Sequence, residues 1–210
     1  NLLVAEGNAF LNFTYLSLST EANGGSSIVR NNIFMGSGNF ELSSSVQAVL
    51  SGNRFLSSGS VSIGTGFDDT VADVVDNYFA GPVVIDTVGG YTRVDRNTFR
   101  NSISATTVDS FCGNSIQDGA AGGTITGRRA LLATGSVPAT GNTFLSSGTW
   151  HFNNLLLSGL SYYNSAGTTG VMTLITDCTL SNSYLHTTSS KISTDGVQIS
   201  GCRSPNNLSF

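Results

Sequence analysis

The sequence is short of charge. Asp, Glu, Lys and Arg make up only 10% of its 210 residues, against about 25% in an ordinary soluble domain, and Lys191 is its single lysine. A net charge of −4 with scattered arginines leaves no basic face for a phosphate backbone, which argues against a nucleic-acid partner. No apolar run approaches the roughly 18 residues of a membrane span. Three cysteines make no disulfide framework, and their spacings of 66 and 24 fit no zinc motif. The Ala, Glu, Lys and Leu richness of a helical chain is missing. What is abundant is Gly, Ser, Thr and Asn, 98 residues together, over a 39% apolar content sufficient for a core. An all-β chain with many turns is expected.

Repetition decides which one. Asn-x-Phe recurs at Asn8, Asn32, Asn53, Asn77, Asn97 and Asn142, with Asn114-Ser115-Ile116 as a conservative variant. Gly precedes the asparagine at Gly7, Gly52, Gly113 and Gly141. Degenerate marks follow near Leu160, at Cys178 and at Cys202, so that nine intervals average about 22 residues. Eight and ten residues after several asparagines stand paired apolar side chains: Leu16 and Leu18, Phe40 and Leu42, Val61 and Ile63, Trp150 and Phe152. That period of two is a half-buried strand. Val83 and Ile85 come two residues early, which marks a shorter turn. Gly38, Gly59 and Gly148 suit a bend between strands.

A unit of this length cannot bury its apolar face alone, but stacked copies can. Asparagine amides in register both donate and accept along the stack, and asparagine tolerates a left-handed turn. The Phe two residues on fills the core. Asn8, Asn32, Asn53, Asn77, Asn97, Asn114 and Asn142 are therefore read as a structural ladder. The Gly-Asn-x-Phe turns and paired strands resemble the right-handed parallel β-helix of the pectin-lyase-like superfamily, over nearly the whole chain. The expected fold is one all-β solenoid, residues 1–210, of about nine coils of roughly 22 residues, with a loop excursion over 117–136. Strand-like residues directly after Asn1, and no cap near Phe210, suggest a segment of a longer chain.

The resemblance implies carboxylate chemistry: Ca²⁺ held by carboxylates with an Arg base in its lyases, paired Asp in its hydrolases. The best polar cluster here is Asp68, Asp69, Asp73, Asp76 and Asp95 with Arg93, Arg96 and Arg100. If the chain is an enzyme, Asp68, Asp69, Asp73, Asp76, Arg93 and Arg96 are its catalytic candidates. The companions Asn-Thr-Asp, Gly-His-Gly and Arg-Ile-Lys are missing. Asp73 and Arg93 both lie four before their asparagine, and Asp76 and Arg96 both lie one before, so stacking sets opposite charges side by side. The ion-pair reading is the simpler one. No metal site and no cofactor are expected, Ca²⁺ entering only with lyase chemistry.

Cys178 and Cys202 share a repeat position in this reading, about 4.8 Å apart in adjacent coils, within disulfide reach. Stacked thiols in a dry core are the alternative. Trp150 and Phe152 fall on core positions, whereas Tyr162, Tyr163, Tyr184 and His151 look outward. Asn12 and Asn207 head glycosylation sequons. An ice-binding surface would need regular Thr-x-Thr ranks, and only Thr124-Ile125-Thr126 fits. The expectation is a non-enzymatic structural or adhesive segment of a large extracellular, cell-surface or virion-surface protein. Its partners would be neighbouring parts of that protein or assembly, and polysaccharide. The competing reading is a glycan-binding or polysaccharide-degrading β-helix enzyme of the phage-tailspike kind.

Overall fold

A computed structural model describes residues 1–20, 24–65, 70–87, 90–117, 122–128, 137–146, 148–163, 172–174, 178–186, 190–192 and 198–203. These residues form strands and turns and no helix, so none among them is a helix long and apolar enough to cross a membrane. Every strand pair is parallel, and each strand pairs with its counterpart about 22 residues on. The chain is a parallel β-solenoid of about seven regular turns of about 22 residues.

The first turn shows the plan. Strand β1 (Leu2–Glu6) leads to the asparagine corner, and β2 (Ala9–Thr20) runs through the next two faces. The second turn repeats this as β3 (Ser26–Arg30) and β4 (Ile33–Ser44). Later turns break the long strand into two, such as Arg54–Phe55 and Val61–Thr65, because a bend intervenes. On the first face β1, β3, Gln47–Ser51, Val71–Val75 and Tyr91–Asp95 stack in order, and Val137–Thr140 to Gln198–Ser200 continue as a second sheet.

The bend is where glycine is required. A Cβ on Gly59 would stand 2.1 Å from the Gly38 carbonyl oxygen, and one on Gly81 2.1 Å from that of Gly59. The coils approach too closely there for any side chain.

Stacking carries each residue type onto its own kind. Phe40, Val61, Val83 and Ile103 form one inward column, and Leu42, Ile63, Ile85, Ala105, Ile125 and Phe152 its neighbour. The rings of Phe10, Phe34, Phe55, Phe79 and Phe99 stack face to face at 4.4–5.2 Å. Trp150 fills its column because Gly123 lies opposite it, leaving the indole room.

Several expectations are corrected. Beyond Asn142 the corner is held by Leu160, Ser183 and Cys202, and the strands shorten to three or four residues, so the regular solenoid has fewer than nine turns. Within 117–136, Gly122–Gly127 is no loop but a strand between Ile103–Val108 and Thr149–Asn153. Residues 118–121 and 129–136 lie outside the described residues. Tyr162 does not face outward: it continues the phenylalanine column beside Phe144 and is fully buried.

That last residue breaks the chemistry of its column. The Tyr162 hydroxyl has no hydrogen-bond partner among the described residues, and burial pushes its ionisation far above the ordinary phenol value. A buried unpaired hydroxyl costs on the order of 1–3 kcal/mol. Tyr162→Phe is expected to raise the melting temperature. A lower melting temperature would show that the hydroxyl is satisfied.

Candidate functional site

The asparagine corner is the most developed polar structure in the molecule. Asn53 illustrates it. Its Nδ2 donates to Val29 O at 2.8 Å, to Ser51 O at 3.1 Å and to Asn77 Oδ1 at 3.0 Å. Its Oδ1 accepts from the backbone N–H of Asn32 at 3.0 Å and from Asn32 Nδ2 at 3.1 Å. The same bonds join Asn8 to Asn32, Asn77 to Asn97, Asn97 to Asn114, and Asn114 to Asn142. All the ladder asparagines from Asn32 to Asn142 are buried; Asn8 is exposed. The ladder therefore leaves the buried amides from Asn32 to Asn142 no capacity for a ligand.

The left-handed conformation falls one residue earlier than the sequence suggests. Gly7, Asn31, Gly52, Asp76, Arg96, Gly113, Gly141, Gly159, Asn182 and Gly201 all have φ between +48° and +68°. This explains the glycine before so many of the asparagines. It also means that Asp76 and Arg96 occupy strained positions that cost an ordinary side chain about 1 kcal/mol or more.

Those two residues belong to a charged stripe on and beside the first face. Arg96 Nε and a terminal nitrogen of its guanidinium grip the two carboxylate oxygens of Asp76, each at 2.8 Å. Arg93 Nε donates to Asp73 Oδ1 at 2.9 Å. Arg30 reaches Glu6 at 2.8 Å, and Arg128 reaches both oxygens of Asp109 at 3.0 and 3.1 Å. Each pair joins one coil to the next. Asp95 is buried instead, and its Oδ1 accepts from Ser110 Oγ and from the Cys112 N–H, both at 2.8 Å. Arg100 lies past the corner on the next face, away from Asp73. Asp68 and Asp69 lie outside the described residues, as does Asn207.

The hydrogen bond from Arg96, with the guanidinium charge behind it, holds the Asp76 carboxyl below its ordinary value. Burial, then the carboxylates of Asp109 and Asp95, push the Tyr91 phenol up. A carboxyl lowered in the folded state stabilises the fold above about pH 4 and loses that contribution as pH falls through its folded value. Both partners face water, so the contribution is small and salt-sensitive. Asp76→Asn is expected to lower stability slightly at pH 7 in low salt and to converge with the parent protein as the pH falls below about 4, flattening the acid limb by the same small amount. An unchanged acid limb would assign the loss to other carboxylates.

No protein-family model, no curated protein and no solved structure matches this chain.

The cysteine pairing is not formed, and the register shows why. Cys178 directly precedes Thr179–Ser181, whose first residue pairs with Leu156, so it stands level with Leu155. Cys202 stands level with Ser183, one position before Arg203, which bridges to Tyr184. The two thiols occupy different repeat positions and no disulfide joins them. Cys202 instead takes over part of the amide's role, its thiol donating to Leu180 O at 3.6 Å and Ser200 O at 3.4 Å. Ser183 does so too, its Oγ accepting from the Leu160 N–H at 3.1 Å.

Sequence reasoning missed Glu6–Arg30 and Asp109–Arg128. The equal-offset rule would have revealed the first, whereas the second crosses the segment read as an excursion. It also missed a hydroxyl ladder at another corner, where Thr87 Oγ1 lies 2.7 Å from Thr92 Oγ1 and 3.1 Å from Thr107 Oγ1. Tyr163 and Tyr184 do face outward, their rings 5.4 Å apart, while His151 is half-buried. Tyr184 borders a shallow cleft with Asn182, Ser183, Gly201 and Arg203. Asn12 is exposed at a bulge between β2 and β4, where φ is +54°. Among the described residues no three His, Cys, Asp or Glu side chains gather closely enough to hold a metal ion.

Proposed function

We propose that this chain is a structural or adhesive segment of a large extracellular or surface protein, built as a right-handed β-helix of the pectin-lyase-like kind and working without catalysis. One observation carries the reading. The carboxylates that would serve a lyase or hydrolase, Asp73 and Asp76, are each held by an arginine of the next coil. A carboxylate engaged in this way sets register between coils and is a poor acid, base or Ca²⁺ ligand. The neighbours of the segment would be other parts of the same protein or assembly, and the exposed Asn12 sequon suits a glycoprotein at a cell or virion surface.

A second reading, glycan binding with or without cleavage, is favoured by the paired Tyr163 and Tyr184 rings beside a cleft carrying Asn182 and Arg203. Aromatic faces with amide and guanidinium donors suit sugar rings. The deciding experiment incubates the 210-residue protein with acidic and neutral polysaccharides, with and without Ca²⁺, and follows products by mass spectrometry. Intact polymers are the expected result. Shortened or unsaturated products that vanish in Asp76→Asn would overturn the structural reading. Retention on one glycan that falls in Tyr184→Ala would make the rod adhesive through that cleft.

A further inference from the structure

The faces of the rod use their outward polar groups differently. On and beside the first face these groups pair across coils, Asp73 with Arg93 and Asp76 with Arg96. The second face, which follows the asparagine corner, leaves them open. Strand register stacks one outward residue of each turn there into a column. Thr98, Ser115, Thr143 and Ser161 make its middle. Tyr78 and then Arg54 continue it at one end, Tyr184 and then Arg203 at the other. Arg100 and Gln117 lie on the same face, two residues past Thr98 and Ser115. Arg54, Arg100 and Arg203 are exposed, and among the described residues none of them makes an ion pair. Among the same residues the four hydroxyls and the Gln117 amide have no hydrogen-bond partner either. No described Asp or Glu lies on this face, although the chain carries a net charge of −4. Asp76, at the corner beside it, is already held by Arg96.

We propose that the second face is a binding track for an acidic polysaccharide laid along the rod axis. The inference rests on the adhesive form of the reading above and names its ligand class. Charge complementarity decides the class: open guanidiniums with no competing carboxylate fit a carboxylate or sulfate group, which their planar forks bind in pairs of bonds. The hydroxyls and the Gln117 amide both donate and accept, as sugar hydroxyls require. Tyr78 and Tyr184 offer rings against which a sugar can lie. The spacing agrees. One turn rises about 4.8 Å, close to the length of one sugar unit. Arg54 and Arg100 are two turns apart, about 10 Å along the axis, which suits an acid group on alternate sugars. A nucleic-acid strand fits poorly. Three guanidiniums spread over about 34 Å of axis are sparse for a strand with a phosphate every 3.4 Å or so. The track extends well beyond the Tyr163–Tyr184 cleft, so a long chain engages both ends together.

The test is affinity electrophoresis of the 210-residue protein through gels holding alginate, a sulfated galactan, a neutral galactan or single-stranded DNA. Retention by an acidic polysaccharide is expected, falling as salt rises. Whether alginate or the sulfated galactan retains the protein more strongly tells carboxylate from sulfate. Arg54→Ala and Arg100→Ala should each weaken retention about tenfold. Both side chains are exposed, so the variants should keep the parent's circular-dichroism spectrum and melting temperature. No retention by either acidic polymer overturns the proposal, as does equal retention by the neutral galactan or by DNA. Retention lost in Tyr184→Ala but intact in Arg54→Ala and Arg100→Ala also overturns it, and leaves binding at the Tyr163–Tyr184 cleft standing. Cleavage of a polysaccharide would overturn the non-catalytic reading separately, without altering the effect of the arginine variants on retention.

Discussion

Asn53→Ala lowers stability by about 3–5 kcal/mol, because it strips buried groups on both sides of the corner. The Asn32 N–H and amide lose their acceptor, and Val29 O loses its donor, all out of reach of water. For a chain of this size that corresponds to a fall in melting temperature on the order of 10 °C. Asn53→Asp should be no better at neutral pH, since a carboxylate restores the acceptor but not the donor and buries a charge. Asn8→Ala, at the exposed end rung, should cost far less. An unchanged melting temperature for Asn53→Ala would refute the ladder as a source of stability.

Phe55→Ala is the second large loss, about 3–5 kcal/mol. The ring is 1% exposed, stacked on Phe34 at 4.4 Å and on Phe79 at 5.1 Å, with Phe40 against it at 5.0 Å. Removing it opens a cavity that strands held on both sides cannot collapse. Phe55→Leu refills most of the volume and should cost about 1.5 kcal/mol or less. Phe10→Ala should fall well below Phe55→Ala, because Phe10 is half-buried and stacked on one face. Equal losses at Phe10 and Phe55 would mean that the column does not stabilise through enclosure.

The fold was legible because stacking converts an equal offset from the corner into contact. Asn-x-Phe at a spacing near 22 residues located the ladder from Asn8 to Asn142, and the same offset placed Asp73 beside Arg93 and Asp76 beside Arg96. Legibility failed where a turn kept its backbone but changed its marker. Ser183 and Cys202 each replace the corner amide with a different polar group, so the spacing alone slid the mark from Ser183 to Cys178 and created a false cysteine pair. Tyr162 deceived for the opposite reason. It stands off the paired apolar positions that Trp150 and Phe152 fill, but its place two positions after the corner at Leu160 puts it in the ring column. Asp95 escapes for another reason: Cys112 shares its offset of two before the corner, but what meets the carboxylate there is a backbone N–H and the Ser110 hydroxyl, with no opposite charge to mark the pair.

The corner bonds also give the rod a direction of wear. A turn in such a stack is held only by its two neighbours, so damage spreads by nearest-neighbour steps. From Asn8 to Asn142 every step is locked by a pair of bonds into one amide oxygen. Among the described residues beyond Asn142 the corner lock is a hydroxyl at Ser183 and thiol contacts at Cys202. Heat or a pull on the C-terminal end would therefore peel off turns one at a time and stall at Asn142, leaving a shorter rod that is still folded.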